Sequence, residues 1–350
     1  MKICFVNTNI AWGGGEKWHL EQAELLYTSG FKISFICHPH SELFKKIQKK
    51  PYSIFTIKTG KTSFLNPLKR FKIKSFLIKS KPSSVILNLP QDVKLVAPIA
   101  KKLNISKVIY RRGMDHPIKR SFINKVIYIN CLTDLIANSK AVSRSITKNF
   151  PELKDRIHII YNSVSLMETP PPKKTTEKII LGNLGRLVKQ KGQEDLIDLA
   201  ILLKKQSFNF EIIIAGTGPL HDLLIDKVKS NNLEDCVKLL GHCDTGVFLK
   251  KIDFFIFPSR FEGLSNALLE AMLYRKVIFA YDISSNSEII NNGSDGFLFE
   301  LKNIQAMSKK IIEIASNQVK LQEIQEGCLQ KLKEKFDKSK TTQQLIELVS

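Results

Sequence analysis

Along the whole chain, short runs of apolar and β-branched residues alternate with longer stretches whose apolar residues recur at helical spacing. This alternation leaves few options, because it is the pattern of repeated βα units that bury a mainly parallel sheet between helices. The spacing predicts strands over Lys2–Asn7, Lys32–Cys37, Ser53–Ile57, Val85–Leu89, Lys107–Tyr110, Leu135–Asn138 and Ile157–Tyr161. The rhythm breaks at Thr169–Thr176, where Pro170, Pro171 and Pro172 sit among polar residues, a composition that is semi-rigid and joins a core poorly. Strands resume over Lys178–Gly185, Phe210–Ala215, Val237–Leu240, Asp253–Pro258, Val277–Tyr281 and Phe297–Phe299, and helical patterns fill Ile304–Val349. A chain of 350 residues exceeds most single cores. The fold expected is therefore α/β, two doubly wound parallel-sheet domains facing across a cleft. Their bounds are read as 1–168 and 178–350, with a linker over 169–177 and a last helix able to pack back on the first domain.

Charge is divided unevenly between the halves. Residues 1–165 hold 29 Lys and Arg against 9 Asp and Glu, a net +20, whereas residues 166–350 hold 25 against 24, a net +1. A polyanion facing the first half is implied, whether nucleic acid, anionic membrane or charged glycolipid. No apolar run reaches the roughly 20 residues that span a bilayer, and Met1–Asn7 runs into Gly13-Gly14-Gly15 with no signal-peptide pattern. The chain is expected to stay in the cytoplasm. Its six cysteines are dispersed without metal or redox spacing and read as reduced, mostly buried thiols.

In parallel α/β sheets ligands bind outside the carboxyl ends of the strands, so the loops after strands matter most. Gly13-Gly14-Gly15-Glu16 follows the first strand and opens a helix; it serves either as a tight turn or as bare backbone for an anion. Gly185-Arg186-Leu187-Val188-Lys189-Gln190-Lys191-Gly192 sets a planar fork and a point charge on one loop, which reads either as a combination suited to a diphosphate or as a solvated basic loop. Gly216-Thr217-Gly218-Pro219 follows the next strand and reads as a plain turn or as a close backbone approach to ligand. Most informative is the run from Phe257 to Met272. Its strand ends at Pro258, its loop holds Glu262 and Gly263, and a helix begins near Ser265, a residue type favoured at N-caps. A phosphate suits that helix end. Glu270, just over one turn in, then needs another partner such as sugar or ribose hydroxyls.

With these motifs in place, the chain resembles the large retaining glycosyltransferase family 4, of the GT-B fold with two Rossmann-like domains. The resemblance rests on the early Gly-Gly with Glu16, Gly185-Arg186, Lys191-Gly192, Gly216-Thr217-Gly218-Pro219, Gly241, Pro258-Ser259, and Glu262 eight positions before Glu270. It implies transfer of a sugar from a nucleotide-diphosphate sugar to a hydroxyl with retention, in lipopolysaccharide, capsule or similar glycan synthesis. It also implies that Arg186 and Lys191 grip the donor diphosphate while Glu262 meets the donor sugar and completes the catalytic set. Gly14, Gly15, Gly185, Gly216, Gly218, Gly263, Leu264, Ser265, Asn266 and Glu270 would bind the donor, with Glu270 on the ribose. The acceptor would meet Glu16, Arg111, Arg112 and Asp115.

The chain departs from the family where Arg275 and Val277 replace a usual Gly and Pro, and where Ser284-Ser285 replace a Gly-Gly pair. Asn162-Ser163-Val164 stands where Asn-Gly-Val is common. After Lys107–Tyr110 no His falls where relatives place one, so Arg112 is read as its replacement, facing an anionic acceptor. No Asp-X-Asp triplet occurs, so no metal and no cofactor are expected beyond the nucleotide sugar as substrate. The stretch Asn66–Lys81, with Leu68, Phe71, Phe76 and Leu77 among Lys69, Arg70, Lys72, Lys74 and Lys79, reads either as a basic amphipathic helix on anionic lipid or as an ordinary sheet-packing helix. The partners expected are a nucleotide sugar, an anionic glycolipid or saccharide acceptor and the inner face of the cytoplasmic membrane. Two rivals remain. A nucleotide-sugar epimerase shares the fold but not the Glu262 to Glu270 arrangement, and a nucleic-acid binder is supported by charge alone.

Overall fold

A computed structural model describes residues 1–60, 62–166 and 178–350. The proline-rich linker read over 169–177 lies outside the described residues. The described chain divides into two compact units, Met1–Asn162 with Ser339–Ser350, and Ser163–Lys338.

In the first unit the elements run β1 (Lys2–Asn7), α1 (Gly14–Thr28), β2 (Lys32–Cys37), α2 (Glu42–Ile47), β3 (Ser53–Thr56), α3 (Pro67–Ser80), β4 (Ser84–Leu87), α4 (Pro90–Lys102), β5 (Lys107–Arg112), α5 (Phe122–Asn130), β6 (Asp134–Ala137), α6 (Lys140–Thr147) and β7 (Ile157–Ile159). The second unit continues with β8 (Ile179–Leu184), α7 (Glu194–Lys205), β9 (Phe210–Ala215), α8 (His221–Ser230), β10 (Val237–Gly241), α9 (Thr245–Lys251), β11 (Phe254–Phe257), α10 (Asn266–Leu273), β12 (Val277–Tyr281), α11 (Asn286–Ile289), β13 (Phe297–Phe299), α12 (Ile304–Ala315) and α13 (Gln318–Lys335). The last helix, α14 (Lys338–Val349), packs in the first unit from Ser339 onward.

All strand pairings in both sheets are parallel, in the orders β3-β2-β1-β4-β5-β6-β7 and β10-β9-β8-β11-β12-β13. Each order reverses once, between β1 and β4 and between β8 and β11, and such a reversal opens a crevice at the strands' carboxyl ends. Alternation along β1 shows why the sheet holds two layers apart: Cys4 and Val6 join the core under α3 to α6, while Ile3 and Phe5 join the core under α1, α2 and α14. α14 closes that second core with Leu345, Leu348 and Val349, and the Ser84 hydroxyl donates to the Val349 carbonyl at 2.9 Å.

The two units divide elsewhere than the bounds drawn on composition. Residues 163–166 go with the second unit because Val164 pairs with Asp337, donating to the Phe336 carbonyl and accepting from the Lys338 amide. Strand β5 also runs two residues further than its apolar pattern. Arg111 and Arg112 lie within it, not after it, and both are buried.

One buried group sets a pH dependence. His19 in α1 is fully buried, edge-on to Phe5 with ring centroids 5.3 Å apart, and neither ring nitrogen has a partner among the described residues. Burial first, and Arg111 second, hold its pKa well below the ordinary 6.5. The unfolded chain therefore binds a proton below pH 6.5 that the folded chain refuses, so stability falls as pH drops through that window. Asp92 and Asp295, raised to about 7 and about 6 by burial, oppose this trend and cancel in a comparison with His19→Phe. From pH 6.5 to 5 the wild type is expected to lose up to about 1.4 kcal/mol per pH unit more than the variant. Parallel denaturation curves across that range would refute the assignment.

Candidate functional site

The second unit gathers its chemistry at the switch point between β8 and β11. The loop after β8 is laced to its neighbours by backbone: the Leu187 amide donates to the Thr217 carbonyl at 2.9 Å, and the Arg260 amide to the Gln190 carbonyl at 2.8 Å. Gln190 returns its side-chain amide to the Phe261 carbonyl at 2.8 Å. The next residues on these two strands of loop are thereby brought together, and Lys191 Nζ lies 2.7 Å from Glu262 Oε1. Lys191 also stands over the Phe257 ring, 5.3 Å from its centroid. Arg186 is exposed on the same loop, with no side-chain hydrogen bond or ion pair among the described residues. Gly192 reaches this geometry with φ +67°, and a Cβ there would meet the Pro258 carbonyl.

Ser265 occupies the N-cap of α10, but its side chain makes no capping hydrogen bond. The amides at that helix end are left without a side-chain acceptor, as in a helix terminus that receives an external anion. Leu264 and Gly263 are buried beside it, Asn266 begins the helix, and Glu270 lies half-buried one turn on. Gly216 and Gly218 are closely packed: added Cβ atoms would fall 1.8 Å from the Gly185 carbonyl oxygen and 2.4 Å from that of Leu187.

Composition alone did not reveal the residues that brace this site. Asp195 accepts from Arg260 Nη2 at 3.0 Å and from the Tyr281 hydroxyl at 2.9 Å, locking α7 to the loop after β11. The buried Ser285 hydroxyl donates to the Gly263 carbonyl at 2.7 Å. Ser284 and Arg275, two positions where glycine is usual in the similar family, adopt left-handed backbone with φ +46° and +53°. That conformation is what glycine ordinarily supplies, so the local backbone is kept although the residue is not.

The first unit builds a second polar cluster at its own switch point. Gly14 and Gly15 open α1, and a Cβ on Gly15 would come 2.8 Å from Asn88 Nδ2. Glu16, buried in the first helical turn, accepts from Asn9 at 3.1 Å and from Asn88 at 3.3 Å. The two arginines assigned to the acceptor point to opposite faces of β5, as adjacent strand residues must. Arg111 lies 5.2 Å from the Trp18 ring and donates to Asn162 Oδ1 at 2.9 Å, and burial pulls its guanidinium down to about 10. Arg112 donates to the Tyr110 hydroxyl at 3.2 Å and to the His116 carbonyl. Both side chains frame the Gly113–His116 loop that carries Asp115, for a Cβ on Gly113 would strike Arg111.

Two Rossmann-like units of this topology, one with cations and an open helix end at its switch point, define the GT-B class. Residues 168–330 match the family described as Glycosyl transferases group 1. Among curated relatives, an uncharacterized glycosyltransferase of Methanocaldococcus jannaschii is 29% identical over 63% of this chain and 62% of its own length. The N-acetylgalactosamine-N,N'-diacetylbacillosaminyl-diphospho-undecaprenol 4-alpha-N-acetylgalactosaminyltransferase of Campylobacter jejuni is 29% identical over 64% of each chain. The matches thus span less than two thirds of these relatives' lengths. Anabaena HepE, solved with UDP, superimposes with a TM-score of 0.84 over 99% of both chains at 19% identity. The match to the group 1 glycosyltransferases thus lies in the second unit, and the curated relatives of the chain are glycosyltransferases.

Proposed function

We propose that this chain is a retaining, metal-independent glycosyltransferase of family 4. It moves a sugar from a nucleotide-diphosphate sugar to a hydroxyl of a lipid-linked or cell-surface saccharide at the inner face of the cytoplasmic membrane. The observation that carries the reading is the Lys191–Glu262 pair at the switch point, beside the exposed Arg186 and the uncapped end of α10. When the donor C–O bond breaks, negative charge grows on the departing diphosphate, and preorganised cations and helix amides oppose that charge with little reorganisation. Lys191 and Arg186 take that role, Glu262 faces the donor sugar and Glu270 the ribose. Glu16 and Asp115 face the acceptor, and the buried Arg111 and Arg112 position the loop that bears Asp115.

The relatives support the substrate classes: the Campylobacter protein is named for a diphospho-undecaprenol saccharide, and HepE was solved with UDP. The test is a panel of sugar nucleotides read first by thermal shift, then by transfer to lipid-diphosphate saccharides with excess EDTA. A saturating donor at 100 times its dissociation constant stabilises the fold by about 2.7 kcal/mol. Transfer that persists in EDTA with the anomeric configuration kept is the expected result. Loss of transfer restored by magnesium or manganese would overturn metal independence, and conversion of donor without acceptor would replace the transferase by an epimerase.

A further inference from the structure

Helix α3 bears two sets of apolar residues and the first core uses only one. Ile73 and Leu77 are buried, and Phe76 stacks on Phe55 with ring centroids 5.3 Å apart. Leu65, Leu68 and Phe71, at the helix entrance, are left 68%, 71% and 70% exposed. Helix α5 repeats this arrangement: Ile127 and Tyr128 face the core, while Phe122, Ile123 and Val126 are 83%, 47% and 40% exposed. Both helices pack with α4 on one face of the sheet, their buried residues in a single core. Each leads from the carboxyl end of one strand toward the next parallel strand, so both exposed sets lie at the same end of that layer. With α4 between them, neighbouring helix spacings of 8–10 Å separate the two sets by roughly 20 Å.

The charge around them is overwhelmingly of one sign. Between Glu42 and Asp134 the chain holds 21 Lys and Arg and only two acids, Asp92 and Asp115. Asp92 is fully buried, accepting from Thr8 and Leu89. Lys72 and Lys74 on α3, Lys119 just before α5 and Lys125 on it are exposed, whereas Arg120 is paired with Glu152. Exposed aromatic and aliphatic side chains set in a cationic surface match an anionic bilayer, whose headgroups take the lysines while its acyl boundary takes the apolar tips. A nucleic acid would use the charge and leave the apolar tips in water.

We propose that α3 and α5 form one two-point docking face that inserts Leu65, Leu68 and Phe71, together with Phe122, Ile123 and Val126, into an anionic membrane. This deepens the membrane reading above and rests on it. The experiment is vesicle sedimentation of the full chain with phosphatidylglycerol–phosphatidylcholine vesicles at low salt and at 0.5 M NaCl. The wild type is expected to bind at both, since inserted apolar groups resist screening. The triple variants Leu65→Ser/Leu68→Ser/Phe71→Ser and Phe122→Ser/Ile123→Ser/Val126→Ser are each expected to bind at low salt and to weaken at least about tenfold at high salt. Because all six residues are exposed, the folds should hold. As a check that needs no loss of binding, the indole introduced by Phe122→Trp should be quenched by acyl-brominated lipid well beyond the background of Trp12 and Trp18. Failure of the wild type to bind anionic vesicles would overturn the membrane reading itself. Wild-type binding abolished by salt, unchanged triple variants, or an unquenched indole in Phe122→Trp would overturn the docking face alone.

Discussion

Replacing Arg186 or Lys191 by alanine is expected to lower turnover about 10²-fold to 10³-fold, the usual loss when one donor to a developing anion is removed. The structure separates the two variants in a second measurement. Arg186 is exposed and has no side-chain partner among the described residues, so Arg186→Ala should leave thermal stability unchanged. Lys191 lies against Glu262 at 2.7 Å, with both side chains largely shielded from water. Lys191→Ala therefore leaves a shielded carboxylate with, among the described residues, only Gln190 at 3.4 Å beside it and should lower the melting temperature as well. Lys191→Ala/Glu262→Gln should recover the stability without recovering turnover. Near-normal turnover in both single variants would remove the anion-stabilising role, and equal melting losses in both would contradict the pairing geometry.

The largest structural effect is expected at Gly216. Its backbone sits at φ +142°, where side chains are strained, and its missing Cβ leaves room for the Gly185 carbonyl oxygen at 1.8 Å from where that atom would be. Gly216→Ala must push apart the loops after β8 and β9, including the Leu187 to Thr217 hydrogen bond. A cost above about 3 kcal/mol follows from overpacking plus strain, a fall of about 6–12 °C for a unit of this size. Gly241 supplies the control: it is also left-handed, at φ +69°, but nothing lies within 4 Å of an added Cβ. Gly241→Ala should lose only about 1–2 kcal/mol. If calorimetry gave the two substitutions the same penalty, backbone conformation alone would account for both and the loop contact would not matter. A donor-binding assay on Gly216→Ala should show the site lost with the loops.

The sheets were legible in the sequence because strands buried on both faces must be apolar throughout, as Lys2–Asn7 and Val277–Tyr281 are, apart from their ends. The same rule hid the end of β5. Two adjacent arginines read as a loop after the strand that meets the acceptor, and nothing local shows that Trp18, Asn162, Tyr110 and the His116 carbonyl wait on either side of the sheet to receive them. In the site, Arg186, Lys191 and Glu262 stood out by residue type after strands. Their supports did not: Asp195 reaches Arg260 and Tyr281 across 65 and 86 positions, and such pairings have no periodicity to betray them. Glycine was legible as a need but not as a reason, since Gly216 and Gly218 answer to neighbouring carbonyls. On α3 both apolar stripes obey helical spacing, so only packing could tell the buried Ile73 and Leu77 from the exposed Leu68 and Phe71.

The first unit is interrupted in the chain by the whole of the second, and its last contribution is α14. A ribosome delivers domains in order and each ordinarily folds as it emerges. Here Ile86, Ile109 and Ile136 must wait, with one face of their sheet covered only in part by α1 and α2, until Leu345, Leu348 and Val349 arrive after Ser163–Lys338 has been made. Of the two units, the one whose first strand is made earlier is the one completed later. Its half-covered sheet is therefore the interval in which a nascent chain of this kind is most exposed to aggregation and most dependent on holding factors.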